Sequence, residues 1–309
     1  MGRFSIKNLI PLKGDSAGEV IRKILVIIFA VVFLVSVGHI ISYYHEINAN
    51  KNLNQKLQQQ HKAASSTVPS SRASQSNGIL PELVSSYNIN KETVGWITIP
   101  GTNIDYPVVQ DKSDTKNEKY LTTDFTGKKE RHGSIFLDFR FNIKPLSQDL
   151  IIYGHNMKDG QMFGELEKYC KARGNDYVGF YNSSPIIEFD TLYERYKWKI
   201  FAVFVTTGNP DHEGSIDYIN PKLGSDSEFN AFIKEIRRRS FINTKVDVQP
   251  GDNLLTLSTC NYDYPRTDNE WARLVVMARK VRDGESTSVE PAEANKNVVY
   301  PSIWYKKNK

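Results

Sequence analysis

The run Leu254-Leu255-Thr256-Leu257-Ser258-Thr259-Cys260 leaves this chain little freedom in how it folds. An apolar, β-branched stretch of this kind reads as a buried strand, and it stops abruptly at a cysteine. The segment Asn261 to Glu270 is polar and carries turn chemistry around Pro265. A second strand opens at Arg273 and runs through Leu274, Val275, Val276, Met277 and Ala278. A hairpin-like return between the two strands brings a thiol and a guanidinium side by side at one edge of a sheet.

A cysteine thiol has an ordinary pKa of about 8.5, so only roughly 3% is ionised at pH 7, and a fixed positive charge nearby favours the anion. Arginine keeps its proton at any working pH and also suits an oxyanion formed during acyl transfer. Arg266 competes with Arg273 for that place. It follows Pro265 in a loop, whereas Arg273 opens a strand, which is the more rigid platform. An acid/base is still needed. Among the six histidines, His155 sits just past an apolar strand, in Ile151-Ile152-Tyr153-Gly154-His155. His132 reads as a turn residue and His212 as a loop residue, while His39, His45 and His61 lie ahead of the folded domain. Asp263 and Asp268 could orient a base, but the sequence assigns neither, and both stay outside the triad.

Two cysteines, Cys170 and Cys260, are too few for a disulfide framework or a four-thiolate zinc site. A single disulfide between them is the structural alternative for Cys260. Cys170 falls in Gly164–Cys170, which reads as a helix with Leu166 and Cys170 on its inner face, a place for a small apolar residue. The formal charge of +5 is mild and dispersed; it suits an anionic membrane or wall surface and does not argue for nucleic acid.

The chain divides by composition. Residues 1–23 are basic on balance, and Ile24 to Ile41 is almost wholly apolar. With Tyr43 and Tyr44 at its far edge, the stretch 24–43 reads as a transmembrane signal-anchor with the N-terminus cytoplasmic; a cleaved signal peptide is the alternative. Residues 44–78 read as stalk and Ser-rich linker, 79–283 as the folded domain and 284–309 as a tail whose Val298–Tyr305 patch packs back on it. Within the domain, a short helix at Pro81 is followed by strands at Val94–Ile99, Ile104–Val109, Ser134–Leu137, Leu150–Tyr153, Ile186–Phe189 and Tyr196–Thr206, with a short helix over Asp114–Leu121. In Tyr196–Thr206, Trp198, Ile200, Ala202 and Phe204 share one parity, as in a barrel wall. Ser227–Arg239 is an amphipathic helix with Phe229, Phe232, Ile233 and Ile236 on one face. Its end, Arg237-Arg238-Arg239, reads as a solvated basic terminus that complements the helix dipole, or more sharply as a contact for anionic lipid or wall polymer.

Thr256-Leu257-Ser258-Thr259-Cys260 resembles the TLxTC signature of sortases, and the serine resembles the class B form. Tyr153-Gly154-His155 resembles the family's histidine site, and Arg273 before Leu-Val-Val its arginine. A helix inserted before the TLSTC strand is similar to what sets class B apart. The resemblance runs from about Ile79 to about Val281. It implies a mainly β fold with added helices: a closed barrel of about eight strands, an N-terminal helix, and a helix before the TLSTC strand. It implies a cysteine transpeptidase with Cys260 as nucleophile, His155 as acid/base and Arg273 as oxyanion partner, needing no metal or other cofactor. Ser258, Thr259 and Tyr153 are carried over as residues lining the substrate groove.

The implied partners are secreted proteins bearing a C-terminal sorting signal, cleaved after threonine, and an acceptor amine. That amine belongs to a peptidoglycan precursor or, in a pilus polymerase, to a pilin lysine. A hydrolysing cysteine protease, and a membrane-tethered binding domain with a structural cysteine, are the competing readings. A methanethiosulfonate reagent separates the last of these: rapid labelling of Cys260 with Cys170 untouched is expected of the enzyme, and equal inertness of both thiols of the binding domain.

Overall fold

The computed structural model describes residues 9–67, 78–266 and 270–306. Two compact units divide between Leu53 and Asn54. Helix α1 (Ala17–Thr67) carries the apolar run, with Phe29, Phe33 and Leu34 exposed, and is long and apolar enough to cross a membrane. From Asn54 onward its residues belong to the second unit. There Leu57 is buried, His61 stacks on Trp96 with ring centroids 4.1 Å apart, and Lys62 pairs with Asp105 at 3.0 Å. The packed unit thus starts before Ile79, because the last turns of α1 offer one apolar and aromatic side to the barrel. His61, which has no role legible in the sequence, is part of that contact.

The second unit is built on a closed barrel. Helix α2 (Pro81–Ile89) leads into β1 (Thr93–Thr98) and β2 (Asp105–Val109), followed by β3 (Ile135–Leu137), β4 (Asp149–Tyr153), α3 (Tyr177–Ser183), β5 (Ile186–Thr191) and β6 (Lys197–Thr206). Helix α4 (Asp226–Arg239), the short β7 (Ile242–Asn243), β8 (Leu254–Asn261), β9 (Ala272–Lys280), β10 (Glu293–Ala294) and α5 (Ser302–Lys306) complete it. Eight strands close in the order β1-β2-β3-β4-β8-β9-β6-β5, with β5 returning to β1. This is the barrel with added helices that the resemblance implies. The Asp114–Leu121 segment is different: only Lys119–Leu121 forms a single 3-10 turn. Asn117 there has a left-handed backbone, and the Asp114 carboxylate accepts from the Lys119 amide, so local side-chain bonding replaces the helix ladder.

The parallel neighbours β2·β3 and β4·β8 position the site. Parallel strands require long crossovers, here 110–134 and 154–253. In β4·β8 the register pairs Asp149 with Leu254 and ends with Tyr153 opposite Ser258. The C-terminal ends of both strands therefore lie together. In the antiparallel β8·β9 pair, Cys260 stands directly opposite Arg273.

Two apolar cores hold these strands. Ile97, Leu150, Ile152, Leu255, Leu257 and Val276 lie in the first, within the barrel. The second lies beneath α4, where Phe229, Phe232, Ile233 and Ile236 meet Phe204, Val275 and Met277. Ser225 caps α4 through the Glu228 amide. Strand β6 does not keep one parity. A register shift between Ile200 and Ala202 inserts an extra residue, so Trp198 and Ile200 share the inner core with Val203 and Val205, while Ala202 and Phe204 join Phe201 under α4.

The solvated reading of the three arginines is corrected for two of them. Arg239 is buried, pairs with Glu235 and donates to the Gly214 carbonyl at 2.8 Å. Arg237 donates to the carbonyls of Thr244 and Val246. The chain turns back tightly after α4, so these guanidiniums satisfy loop carbonyls that packing removes from water. Arg238 alone stays exposed. The C-terminal patch packs back, with the Trp304 ring 5.3 Å from Tyr264. Replacing Ile236 by alanine is expected to cost about 2–5 kcal/mol, measured as a lowered urea midpoint. A cost below about 0.5 kcal/mol would show that α4 does not brace the sheet.

Candidate active site

Cys260, half-buried, is the last residue but one of β8, and Arg273, the second residue of β9, stands across from it. The Arg273 Nη1 lies 3.2 Å from the Cys260 Sγ and also donates to the Trp271 carbonyl at 3.2 Å. Both cysteines are free thiols, which removes the disulfide alternative; Cys170 is fully buried in the inner core. It follows a 3-10 helix, Gly164–Tyr169, rather than an α-helix, yet Leu166 and Cys170 share the interior as the sequence suggests.

His155 enters from β4. Gly154 makes this possible: a Cβ there would overlap the Ile135 side chain and the Phe163 ring. The His155 Nε2 lies 2.7 Å from the Leu121 carbonyl oxygen. A carbonyl only accepts, so Nε2 carries a proton and Nδ1 is the nitrogen left to gain or lose one. Leu121 comes from the β2–β3 crossover, and no local signal in the sequence marks its carbonyl.

One cavity of about 560 Å³ is lined by Cys260, Arg273 and His155 together, with Leu121, Tyr153, Ser258 and Thr259 among the other wall residues. The three wall residues carried over as groove-lining are already committed through their hydroxyls. Thr259 Oγ1 donates to the Gly154 carbonyl at 2.7 Å, Ser258 Oγ shares a hydrogen bond with Tyr218 at 2.8 Å, and the Tyr153 hydroxyl donates to Asp138 at 3.1 Å. Burial pushes the Tyr153 phenol well above its usual range, so it stays a donor. Asp138 is buried, which by itself raises its pKa, but the Arg140 guanidinium outweighs burial and holds it below the ordinary carboxylate range. Asp138 thus stays ionised and paired with Arg140, and the other permanently charged side chains lining the cavity, Lys116 and Arg273, are both positive. Arg266 stacks over Trp271 at 4.6 Å. Asp263 contributes its amide to a turn closed by Asn261 Oδ1, and Asp268 lies outside the described residues.

A Sortase domain model matches residues 97–281. Sortase B of Staphylococcus aureus is 35% identical over 256 residues, covering 82% of this chain and 95% of that protein. Sortase B of Listeria monocytogenes is 34% identical over 200 residues, covering 65% of this chain and 74% of that protein. The chain belongs to the class B sortases. Its barrel also superposes on the Staphylococcus aureus sortase B–substrate complex with a TM-score of 0.63 at 35% identity, over 77% of this chain and 98% of that one. Like other sortases, this one is a cysteine transpeptidase.

Beside the cavity of this sortase, His132 is completely buried, 2.7 Å from Glu130 and 3.3 Å from Asp159. It is not the plain surface turn residue that the sequence suggests. It links the crossover that bears Leu121 to the loop that follows His155. Burial disfavours its charge, but the hydrogen bond and charge of Glu130, helped by Asp159, win and raise its pKa. A raised folded-state pKa stabilises fully below the unfolded value of about 6.5, and the gain is lost as pH rises through the folded value. Wild-type protein should therefore lose more stability than His132→Gln when taken from mildly acidic to alkaline pH. Urea midpoints that fall in parallel for the two proteins would contradict the pairing.

Proposed function

We propose that this sortase cleaves a C-terminal sorting signal after threonine and transfers the freed carboxyl group to a cell-wall amine. The reading rests on one observation: Arg273 Nη1 sits 3.2 Å from the Cys260 sulfur, in a cavity whose wall His155 shares. The Cys260 thiolate attacks the scissile carbonyl, forming a carbon–sulfur bond. Arg273 donates to the oxyanion that develops. His155, protonated, gives a proton to the departing amine as the carbon–nitrogen bond breaks, leaving a thioester and a neutral imidazole. The acceptor amine then attacks the thioester. A new amide forms, the thiolate departs, and His155 takes the proton that the incoming nitrogen releases.

The same arginine serves two states. It lies beside the sulfur anion before attack and beside the oxygen anion after it, so the charge follows the reaction without moving far. The chemistry uses only side chains of this chain. The basic residues ahead of the apolar run, with Arg22 and Lys23 at its start, support a reading with the N-terminus in the cytoplasm and the barrel outside. Peptidoglycan precursor is the acceptor this placement favours, since wall amines are presented at the outer membrane face.

Incubation of the full chain in detergent with a sorting-signal peptide and triglycine, followed by mass spectrometry, tests the reading. Cys260→Ala should abolish turnover with the fold intact. Arg273→Ala should lower kcat by roughly 10²–10³-fold, the loss seen for one oxyanion donor. Arg273→Lys should recover little, because an ammonium lacks the planar fork. Substantial turnover by Cys260→Ala sinks the nucleophile. Release of free acid alone with the amine present would show a protease, and capture only by a pilin lysine would show a polymerase.

A further inference from the structure

Two asparagines occupy matching places behind the cavity. Asn156 directly follows His155, and Asn261 directly follows Cys260. Their side-chain amides converge on one carboxylate. Asn156 Nδ2 lies 2.5 Å from Glu167 Oε1, and Asn261 Nδ2 lies 3.1 Å from Oε1 and 3.2 Å from Oε2. The Asn156 amide also reaches the Cys260 carbonyl oxygen at 2.8 Å. Both asparagines are buried, Asn261 completely.

The chemistry sets the orientation of these amides. A carboxylate and a carbonyl only accept, so the Asn156 nitrogen must face both; the flipped amide would bring three oxygens together. Asn261 is held the same way, and its Oδ1 accepts from the amides of Asp263 and Tyr264, each at 3.1 Å. Glu167 itself is carried on the 3-10 helix Gly164–Tyr169, whose Leu166 and Tyr169 are anchored in the inner core. The backbone closes the circuit, since the Phe163 amide just before that helix donates to the His155 carbonyl at 2.9 Å. None of Asn156, Glu167 and Asn261 lines the cavity. Substrate contact therefore does not account for them.

We infer that Glu167 is a positioning residue: by holding the residue after His155 and the residue after Cys260, it sets the separation of the imidazole and the thiol. The inference rests on the reading of Cys260 and His155 as the reacting pair. Strand pairing alone does not secure that separation. The β4·β8 ladder ends at Tyr153 and Ser258, two residues short of each side chain. Beyond that point the Gly154 amide reaches the Ser258 carbonyl at a long 3.3 Å, and Thr259 Oγ1 bonds the Gly154 carbonyl. The Glu167 junction extends the connection across the last step, from Asn156 to Cys260 itself. A displacement of about 1 Å at the reacting atoms can cost on the order of a hundredfold in rate.

The test is steady-state cleavage of a sorting-signal peptide by the full chain in detergent, with thermal melts of every variant. Glu167→Ala should lower kcat by about tenfold to a hundredfold and leave KM within about twofold, since no cavity contact is lost. Glu167→Gln keeps one acceptor oxygen and should recover much of that loss. Asn156→Ala should fall similarly, and the double variant Asn156→Ala/Glu167→Ala no further than the worse single one, because the groups act as a unit. A folded Glu167→Ala with wild-type kcat, or losses that multiply in the double variant, overturns the inference. If Glu167→Ala does not fold, Asn156→Ala decides: unchanged kcat there overturns it equally. Cys260→Ala is the control. Turnover in that variant defeats the underlying assignment, whereas an inactive Cys260→Ala beside a fully active Glu167→Ala defeats only the positioning role.

Discussion

The site depends on the parallel register between β4 and β8. Five consecutive pairs, from Asp149 with Leu254 to Tyr153 with Ser258, bring the ends of two strands together that lie about a hundred residues apart in the chain. His155 and Cys260 are each two residues past the last pair. A slip of one residue would turn Leu255 and Leu257 out of the inner core, so the apolar pattern protects the geometry of the candidate site. The antiparallel partner β9 then adds the charge, setting Arg273 opposite Cys260.

The wall that carries these side chains is rigid because it is buried on both faces. Leu257 and Val276 look into the barrel, while Val275 and Met277 look under α4. Interiors of this kind are close-packed and yield little. The candidate side chains sit where that packing stops, near the strand ends, with the polar wall behind them already hydrogen-bonded. Tyr218 on Ser258, Thr259 on Gly154 and Arg140 on Asp138 leave few groups free to compete with a substrate or to rotate away.

Much of this was legible residue by residue. The eight barrel strands announce themselves as short apolar, β-branched runs, and α4 by the spacing of Phe229, Phe232, Ile233 and Ile236. The candidate triad was legible because it ends or opens strands, where chemistry-bearing residues stand out against apolar neighbours. The bulge at Phe201 was not: the run from Trp198 to Phe204 is apolar at nearly every position, so a change of parity leaves no mark in it. Arg237 and Arg239 were misread for a related reason. Three adjacent arginines look like a solvated helix end, and only the chain's return after Ser240 shows that two of them serve carbonyls.

The amino-acid sequence by itself determined the strands, the amphipathic helix, the N-terminal apolar helix and the residues with the chemistry to react, because these follow from local period, polarity and side-chain type. Tertiary structure alone decided which carbonyl holds His155, which histidine is buried as a clamp, and how Glu167 meets two asparagines. Those contacts join Leu121 to His155, Glu130 and Asp159 to His132, and Glu167 to Asn156 and Asn261. Each depends on a hydrogen bond between segments placed by barrel closure and its two crossovers. Hydrogen-bond partners have no period along a chain, and so no pattern within it can announce them.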